Sequence, residues 1–210
     1  MVGCSTFACK IIKICCRDKA CIVSTTIKNK DMSYTIPAAT RIGHIHLKVA
    51  DLERALKFYR DLLGFEVQQY YGDSAVFISA GGYHHHIGLN TWHSKNAGPA
   101  PINTAGLYHT AILFPTRKDL AIALKRLIDA NYPLTGASDH GVSEAIYLND
   151  PDKNGVELYW DKPKEQWPKD EKGNLLMLSD ALDLNDLLQL AGPVLAFPDR
   201  EGDSHTKPGA

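Results

Sequence analysis

The sequence predicts an α+β fold: two tandem βαβββ modules forming a cupped mixed sheet with the helices outside. Three observations predict it. A strand, a helix and three short strands follow one another twice between Arg41 and Lys162. The opening strand of each copy carries a histidine, His44 and His109, 65 residues apart. A linker rich in Gly, Pro and Asn, SKNAGPAPINTAG, separates the copies.

The first module spans residues 41–93. RIGHIHLKV alternates and is rich in β-formers, so it reads as a strand. Asp51 caps the helix DLERALKFYRDLLG, in which Leu52, Leu56, Tyr59 and Leu63 recur at helical spacing. Gly64 stands where a helix-terminating residue belongs. FEVQQYY, SAVFISA and HHHIGLNTW follow as three short strands.

The second module spans residues 105–162. GLYHTAILF reads as its first strand. Thr116 opens the helix with Asp119 three residues on, a capping-box spacing. Leu120, Leu124, Leu127 and Ile128 form the apolar stripe, and Asn131 takes the terminating role of Gly64. PLTGAS, SEAIYLN and GVELYWD follow, the last two joined by the turn DPDKNG.

Composition fits an ordinary globular chain: 210 residues, 44% hydrophobic, 22% charged, net charge −1. The near-zero charge gives no support for a nucleic-acid partner. The absence of an apolar run of about 18 residues excludes a membrane-spanning helix. Two residue types are unevenly placed. All five cysteines lie in the first 21 residues, and eight of nine histidines lie between His44 and His140.

Residues 1–31 hold six Lys/Arg against two Asp and have no clean period. They contain no CxxC pair and no histidine, which argues against a zinc cluster. They read as a basic, Cys-rich, poorly ordered extension with Met32 as the natural start. The cysteine-free remainder points to a cytoplasmic protein. One domain holding both modules is expected over residues 40–163. Residues 164–192 read as a polar turn plus a short helix, and residues 193–210 as a flexible tail.

The chemistry centres on His44, His109 and Glu157. Two neutral imidazoles and one carboxylate bind a divalent metal on one face and leave the opposite positions open. That is the environment of a non-haem Fe(II) that takes both a substrate and O₂. His46, two residues beyond His44, shares its face and competes for the ligand role.

These residues resemble the vicinal oxygen chelate superfamily, which includes glyoxalase I, bleomycin-resistance proteins and extradiol catechol dioxygenases. The resemblance covers about residues 42–163. It rests on GHIHLKVADLERALKFYRDLLGFEV, HHHIGLN, GLYHTAI and AIYLNDPDKNGVELYWDKP. It marks His44, His109 and Glu157 as metal ligands. Glyoxalase I generally places a further ligand on the last strand of the first module, where this chain has Gly88. The three remaining ligands are as in catechol 2,3-dioxygenases.

On the dioxygenase pattern, HHHIGL makes His85 the general base, whereas strand parity places His84 and His86 on the face of Gly88. Tyr147, ten residues before Glu157, resembles the pocket tyrosine, and His140 resembles the histidine that faces bound oxygen. The resemblance implies Fe(II), with Mn(II) as the alternative, and extradiol cleavage of a catechol-type aromatic diol with O₂. Two other readings stand beside it. One is a glyoxalase-like metal-dependent lyase or isomerase; the other is a non-catalytic binding protein for an antibiotic or similar small molecule. A two-module chain closes its cup alone or by pairing, so a homodimer or higher homo-oligomer is expected. Its ligands would come from one or both subunits.

Overall fold

The computed structural model describes residues 34–192 and two short strands before them. Those strands, β1 (Ile14–Cys16) and β2 (Lys19–Cys21), pair antiparallel. The expectations of a disordered extension over the rest of residues 1–31 and of a tail over 193–210 lie outside the described residues. The residues from Gly43 onward form one compact unit that holds both modules.

In the first module, β3 (Ile45–Lys48) leads into α1 (Leu52–Leu56). Asp51 starts the helix by accepting a hydrogen bond from the Arg54 N–H at 2.8 Å. The predicted single helix does not stay α-helical. Lys57–Leu62 is a π-helical stretch, with Leu63 N–H donating to the Phe58 carbonyl. The wider turn places Phe58, Tyr59 and Leu62 together in the core. Gly64, at φ 93°, ends it. β4 (Glu66–Tyr71), β5 (Ala75–Ser79) and β6 (Ile87–Asn90) complete a sheet of order β3-β6-β5-β4. β3 runs parallel to β6, and the other pairs are antiparallel.

The second module repeats this plan. β7 (Thr110–Leu113) precedes α2 (Arg117–Asp129), followed by β8 (Leu134–Asp139), β9 (Ser143–Asn149) and β10 (Gly155–Asp161). The order β7-β10-β9-β8 matches the first sheet, including the parallel outer pair. The Asp119 N–H donates to the Thr116 hydroxyl at 3.1 Å, and Asn131 stands at φ 51°. Both sheets even shift register at the same place, between Val67 and Gln69 in β4 and between Leu134 and Gly136 in β8.

Each sheet has a helix-covered face and an open face. Ile45, Leu47, Val76, Ile78, Ile87 and Leu89 line the covered face of the first. Ile146, Leu148, Val156 and Leu158 line that of the second, under Leu120, Leu124 and Leu127. The two covered faces belong to one continuous apolar cluster. Polar ties reinforce it. The buried Tyr59 hydroxyl donates to Asp150 Oδ2 at 3.0 Å, and Arg126 donates to the Leu62 and Asp61 carbonyls at 2.9 and 2.8 Å. Phe58 and Tyr132 pack with ring centres 5.0 Å apart.

After β10 the chain makes a 3₁₀ turn (Lys164–Gln166) and passes along the β8 edge, where Asp139 and Asp180 form a bridge. It ends in α3 (Leu184–Gln189), which packs on α2. Leu187 is buried, and Arg117 joins Asp186 at 2.8 Å and Glu144 at 2.7 Å. Among the described residues no helix is long and apolar enough to cross a membrane.

Candidate active site

Register decides which side chains share the open faces. Ala111, Glu157, Tyr147 and Gly136 lie directly across from one another on the second sheet. His109 stands two residues before Ala111 and continues that face. On the first sheet His46, Gly88 and Phe77 are cross-strand partners, and His44 continues their face. Both histidines precede their strands by one residue, because the ladders begin at Ile45 and Thr110 rather than at His44 and His109.

The second sheet carries a connected polar chain. His109 Nε2 lies 2.8 Å from Glu157 Oε2. The Tyr147 hydroxyl donates to Glu157 Oε1 at 3.2 Å and lies 2.6 Å from His140 Nε2. His140 Nδ1 lies 2.8 Å from the Leu178 carbonyl, which can only accept, so a proton sits on Nδ1. Burial, then the charge and hydrogen bond of Glu157, push the Tyr147 hydroxyl up to about 12. Next to His140, burial works against the charge of Asp139. The Lys162 ammonium at 2.6 Å and the Gly141 N–H outweigh it and hold that carboxyl below its usual range.

Gly155 explains how His109 is held. A Cβ at this position would run into the Tyr108 carbonyl oxygen and lie 3.1 Å from His109 Cβ. Only glycine lets the start of β10 approach so closely. His109 Nδ1 is buried without a partner among the described residues. The Glu157 carboxylate at 2.8 Å is an acceptor, so the proton of a neutral ring sits on Nε2, where a bound metal ion would take its place.

The first sheet gathers the other histidines. The His44 ring lies 4.3 Å from the His85 ring, which is 4.9 Å from Phe77. His84 Nδ1 and His85 Nδ1 are 2.8 Å apart. Strand parity does not place His84 and His85, which stand in the loop before the ladder, whereas the backbone of His86 enters it, donating to the Ile78 carbonyl and accepting from the Ile45 N–H. His86 turns back to accept from the Ala80 N–H and stacks on Tyr83. Partial burial and then the neighbouring His44 hold the His85 imidazole below its usual value. His46 lies over Gly88, with three ring atoms 2.9–3.0 Å from where a Cβ would stand. The position where a fourth ligand is expected therefore has no side chain, and the space above it is filled.

The donor set meets the metal requirement in part. His109 Nε2 and Glu157 Oε2 are 2.8 Å apart. Neighbouring ligands bound about 2.1 Å from one ion are separated by roughly 3 Å. His44 does not join them. Among the described residues no group of three His, Cys, Asp or Glu side chains comes together closely enough to hold an ion. One chain therefore presents two donors on one open face and the third on the other.

Sequence reasoning missed three contributors. Gly155 and the Leu178 carbonyl act through the backbone, which motif spacing does not report. The cover that His46 gives Gly88 had a usable signal, since His46 and Gly88 fall on paired strands of the module.

Comparison with known proteins agrees with this architecture. A family model described as the glyoxalase/bleomycin resistance protein/dioxygenase superfamily matches residues 41–158. A catechol-2,3-dioxygenase from Bacillus subtilis (strain 168) is 42% identical over 154 residues, covering 73% of this chain and 53% of that protein. Biphenyl-2,3-diol 1,2-dioxygenase 3 from Rhodococcus globerulus is 32% identical over 121 residues, covering 58% of this chain and 63% of that protein. The chain thus spans about half to two thirds of the length of these relatives. A glyoxalase/dioxygenase from Nostoc punctiforme, 16% identical, shares the fold with a TM-score of 0.51. The match covers 62% of this chain and 98% of that one.

Proposed function

The chain belongs to the glyoxalase/bleomycin resistance protein/dioxygenase superfamily, and from that premise we propose that it is a metal-dependent extradiol dioxygenase. Its substrates would be a catechol-type aromatic diol and O₂. The observation that carries the reading is the chain His109–Glu157–Tyr147–His140 on one open sheet face. Fe(II), or Mn(II) in its place, is the metal the family resemblance implies.

The residues have distinct tasks in this reading. His109 and Glu157 are two of the metal donors, and His44 is the third. Tyr147 stays protonated through the neutral range and donates its hydrogen bond toward the reacting oxygens. His140, fixed by the Leu178 carbonyl, receives or returns a proton through Tyr147. His85 is the general base toward a diol hydroxyl. Burial and then the neighbouring imidazoles hold its own below the usual value, which favours the neutral state a base requires. Both atoms of O₂ enter the ring-opened muconic semialdehyde, so the reaction needs no external reductant.

The relatives named as diol dioxygenases support this substrate class. The filled space above Gly88 weighs against a four-ligand lyase site. The test is anaerobic reconstitution with Fe(II), followed by oxygen uptake against a panel of catechols. Uptake coupled to a yellow ring-cleavage product is expected. No uptake with any catechol overturns the reading. His44→Ala, His109→Ala and Glu157→Ala should each lose tightly bound metal while keeping the far-ultraviolet circular dichroism of the parent.

A further inference from the structure

We propose that the Asp139–Lys162 ion pair, with the strap of residues 167–180 docked beside it, holds His140 in position for proton exchange with Tyr147. The proposal rests on the tasks given to those two residues above and assigns what sets the imidazole. Asp139 and Lys162 are positioning residues, acting on the reaction only through His140.

His140 starts from an unpromising place. It lies in the turn His140–Gly141–Val142, between the end of β8 at Asp139 and the start of β9 at Ser143. Turns are the mobile parts of a sheet, whereas a proton-transfer group must stay within hydrogen-bond reach. Here the turn is tied from three sides. Across the hairpin, the His140 N–H donates to the Ser143 carbonyl at 2.8 Å. Beyond β10, the Lys162 N–H donates to the Val142 carbonyl at 2.8 Å, and its ammonium reaches the two Asp139 oxygens at 2.7 and 2.6 Å. From the strap, the Leu178 N–H donates to the His140 carbonyl at 2.9 Å, while the Leu178 carbonyl accepts from His140 Nδ1 at 2.8 Å. One strap residue thus grips both the backbone and the ring of His140.

Asp139 links these ties. Its backbone exchanges two hydrogen bonds with Asp180, each 2.9 Å, which dock the strap on β8. Its Oδ1 also accepts from the Gly141 N–H at 2.8 Å, closing the turn around His140. Both carboxylate oxygens are engaged there, and the imidazole is oriented by a neutral carbonyl instead. The difference has chemical weight. A carboxylate partner favours the imidazolium, whereas a carbonyl fixes the tautomer and leaves Nε2 able to take or return a proton. Lys162 is anchored in turn, its carbonyl accepting from the Trp167 indole N–H at 2.8 Å. The strap also lies tight against the turn: a Cβ on Gly141 would stand 2.8 Å from Pro168 Cγ and 3.1 Å from Leu178 Cδ1. It follows the second module, the one that carries His140.

The test reads His140 directly. Nitrogen NMR of ring-labelled histidine, on protein as purified and before iron is added, should show the neutral His140 ring with its hydrogen on Nδ1. Lys162→Met and Asp139→Asn should each mix the two tautomers. Lys162→Arg, which can still pair with Asp139, should keep the parent's signal. With a catechol and Fe(II), the first two variants should lose roughly 10-fold in kcat with KM and iron content unchanged. That is part of the about 10²- to 10⁴-fold that a positioned proton-transfer group supplies. In a His140→Ala background Lys162→Met should cost nothing further, because its effect passes through the missing ring. A pair that only stabilises the fold would lower kcat by the same factor with or without His140, and that result overturns the proposal. A parent-like tautomer in both Lys162→Met and Asp139→Asn also overturns it, as does a changed tautomer with unchanged kcat. Absence of turnover by the parent overturns the dioxygenase reading, and the tautomer signal alone then decides whether the pair sets His140. Asp139→Asn, nearly identical in shape to the parent, carries the test where Lys162→Met fails to fold.

Discussion

The Tyr147 hydroxyl stands between His140 Nε2 at 2.6 Å and Glu157 Oε1 at 3.2 Å, yet it has one hydrogen to give. With His140 Nδ1 donating to the Leu178 carbonyl, a neutral His140 offers Tyr147 a lone pair, and Glu157 offers another. A protonated His140 removes the competition: it donates to Tyr147, and Tyr147 donates to Glu157. The tyrosine oxygen is therefore the point through which a proton on one side is felt on the other.

Tyr147→Phe should lower kcat by roughly 10- to 100-fold, the loss of one hydrogen bond to a charged partner. Metal content should not change, because the phenol is not among the donors. Steady-state kinetics and metal analysis on the same preparation check this. Unchanged kcat would remove Tyr147 from the mechanism.

Gly155→Ala should cost about 1–3 kcal/mol of stability and lower Tm by roughly 3–10 °C. The added methyl meets the Tyr108 carbonyl and the His109 side chain. Metal affinity should fall with it, since relief of the clash moves His109. Calorimetry and Co(II) titration separate the two effects. A variant as stable as the parent would show that β10 can shift at no cost.

His46→Ala should keep the metal. The His46 ring is packed over Gly88, 5.3 Å from the Trp92 ring and 5.8 Å from the Phe77 ring, which is a packing role. Loss of metal in this variant, with His44→Ala retaining it, would exchange the roles of the two histidines.

Asp150 gives a pH dependence. Burial pushes its carboxyl above the usual value, against hydrogen bonds from Asn154, Tyr59 and Asp152 that pull it down. The folded protein therefore holds this proton more tightly than the unfolded chain. The associated stability is complete below the unfolded carboxylate value of about 4 and is lost as pH rises through the raised folded value. Relative to Asp150→Asn, the parent should gain stability as pH is lowered from 7 toward 4. Urea unfolding of both proteins across that range measures it, and a gap that widens in the other direction contradicts it.

Local signals carried most of the fold into the sequence. Asp51 and Thr116 cap their helices, Gly64 and Asn131 end them, and the Asp150–Gly155 turn joins the last two strands. These features depend on neighbours in the chain, so spacing reveals them. The candidate site was legible only in its residue types. That His109, Glu157, Tyr147 and His140 connect follows from strand register. That His44 stands apart follows from which sheet faces the modules share. Tyr59 is buried as its helical spacing predicts, whereas the burial of Phe58 and Leu62 beside it goes with a π-helical stretch that a 3.6-residue period conceals. The His85 ring stands nearer to His44 than the His84 ring does, at 4.3 against 6.5 Å, and both lie in the loop before β6, where alternation has no force.

The turn from Asp150 to Gly155 has a consequence for how this protein tolerates change. Asp150 accepts from Asp152 and Asn154 within the turn and from Tyr59 of the other module. Gly155 then seats His109, and Glu157 follows two residues later. Module cohesion and donor placement are thus inherited from the same half-dozen residues. Variants that damage one will damage the other, and second-site changes that restore one will tend to restore both. Selection acting on this loop for heat resistance would carry the placement of His109 and Glu157 along with it, in place of the usual opposition between stability and a site's geometry.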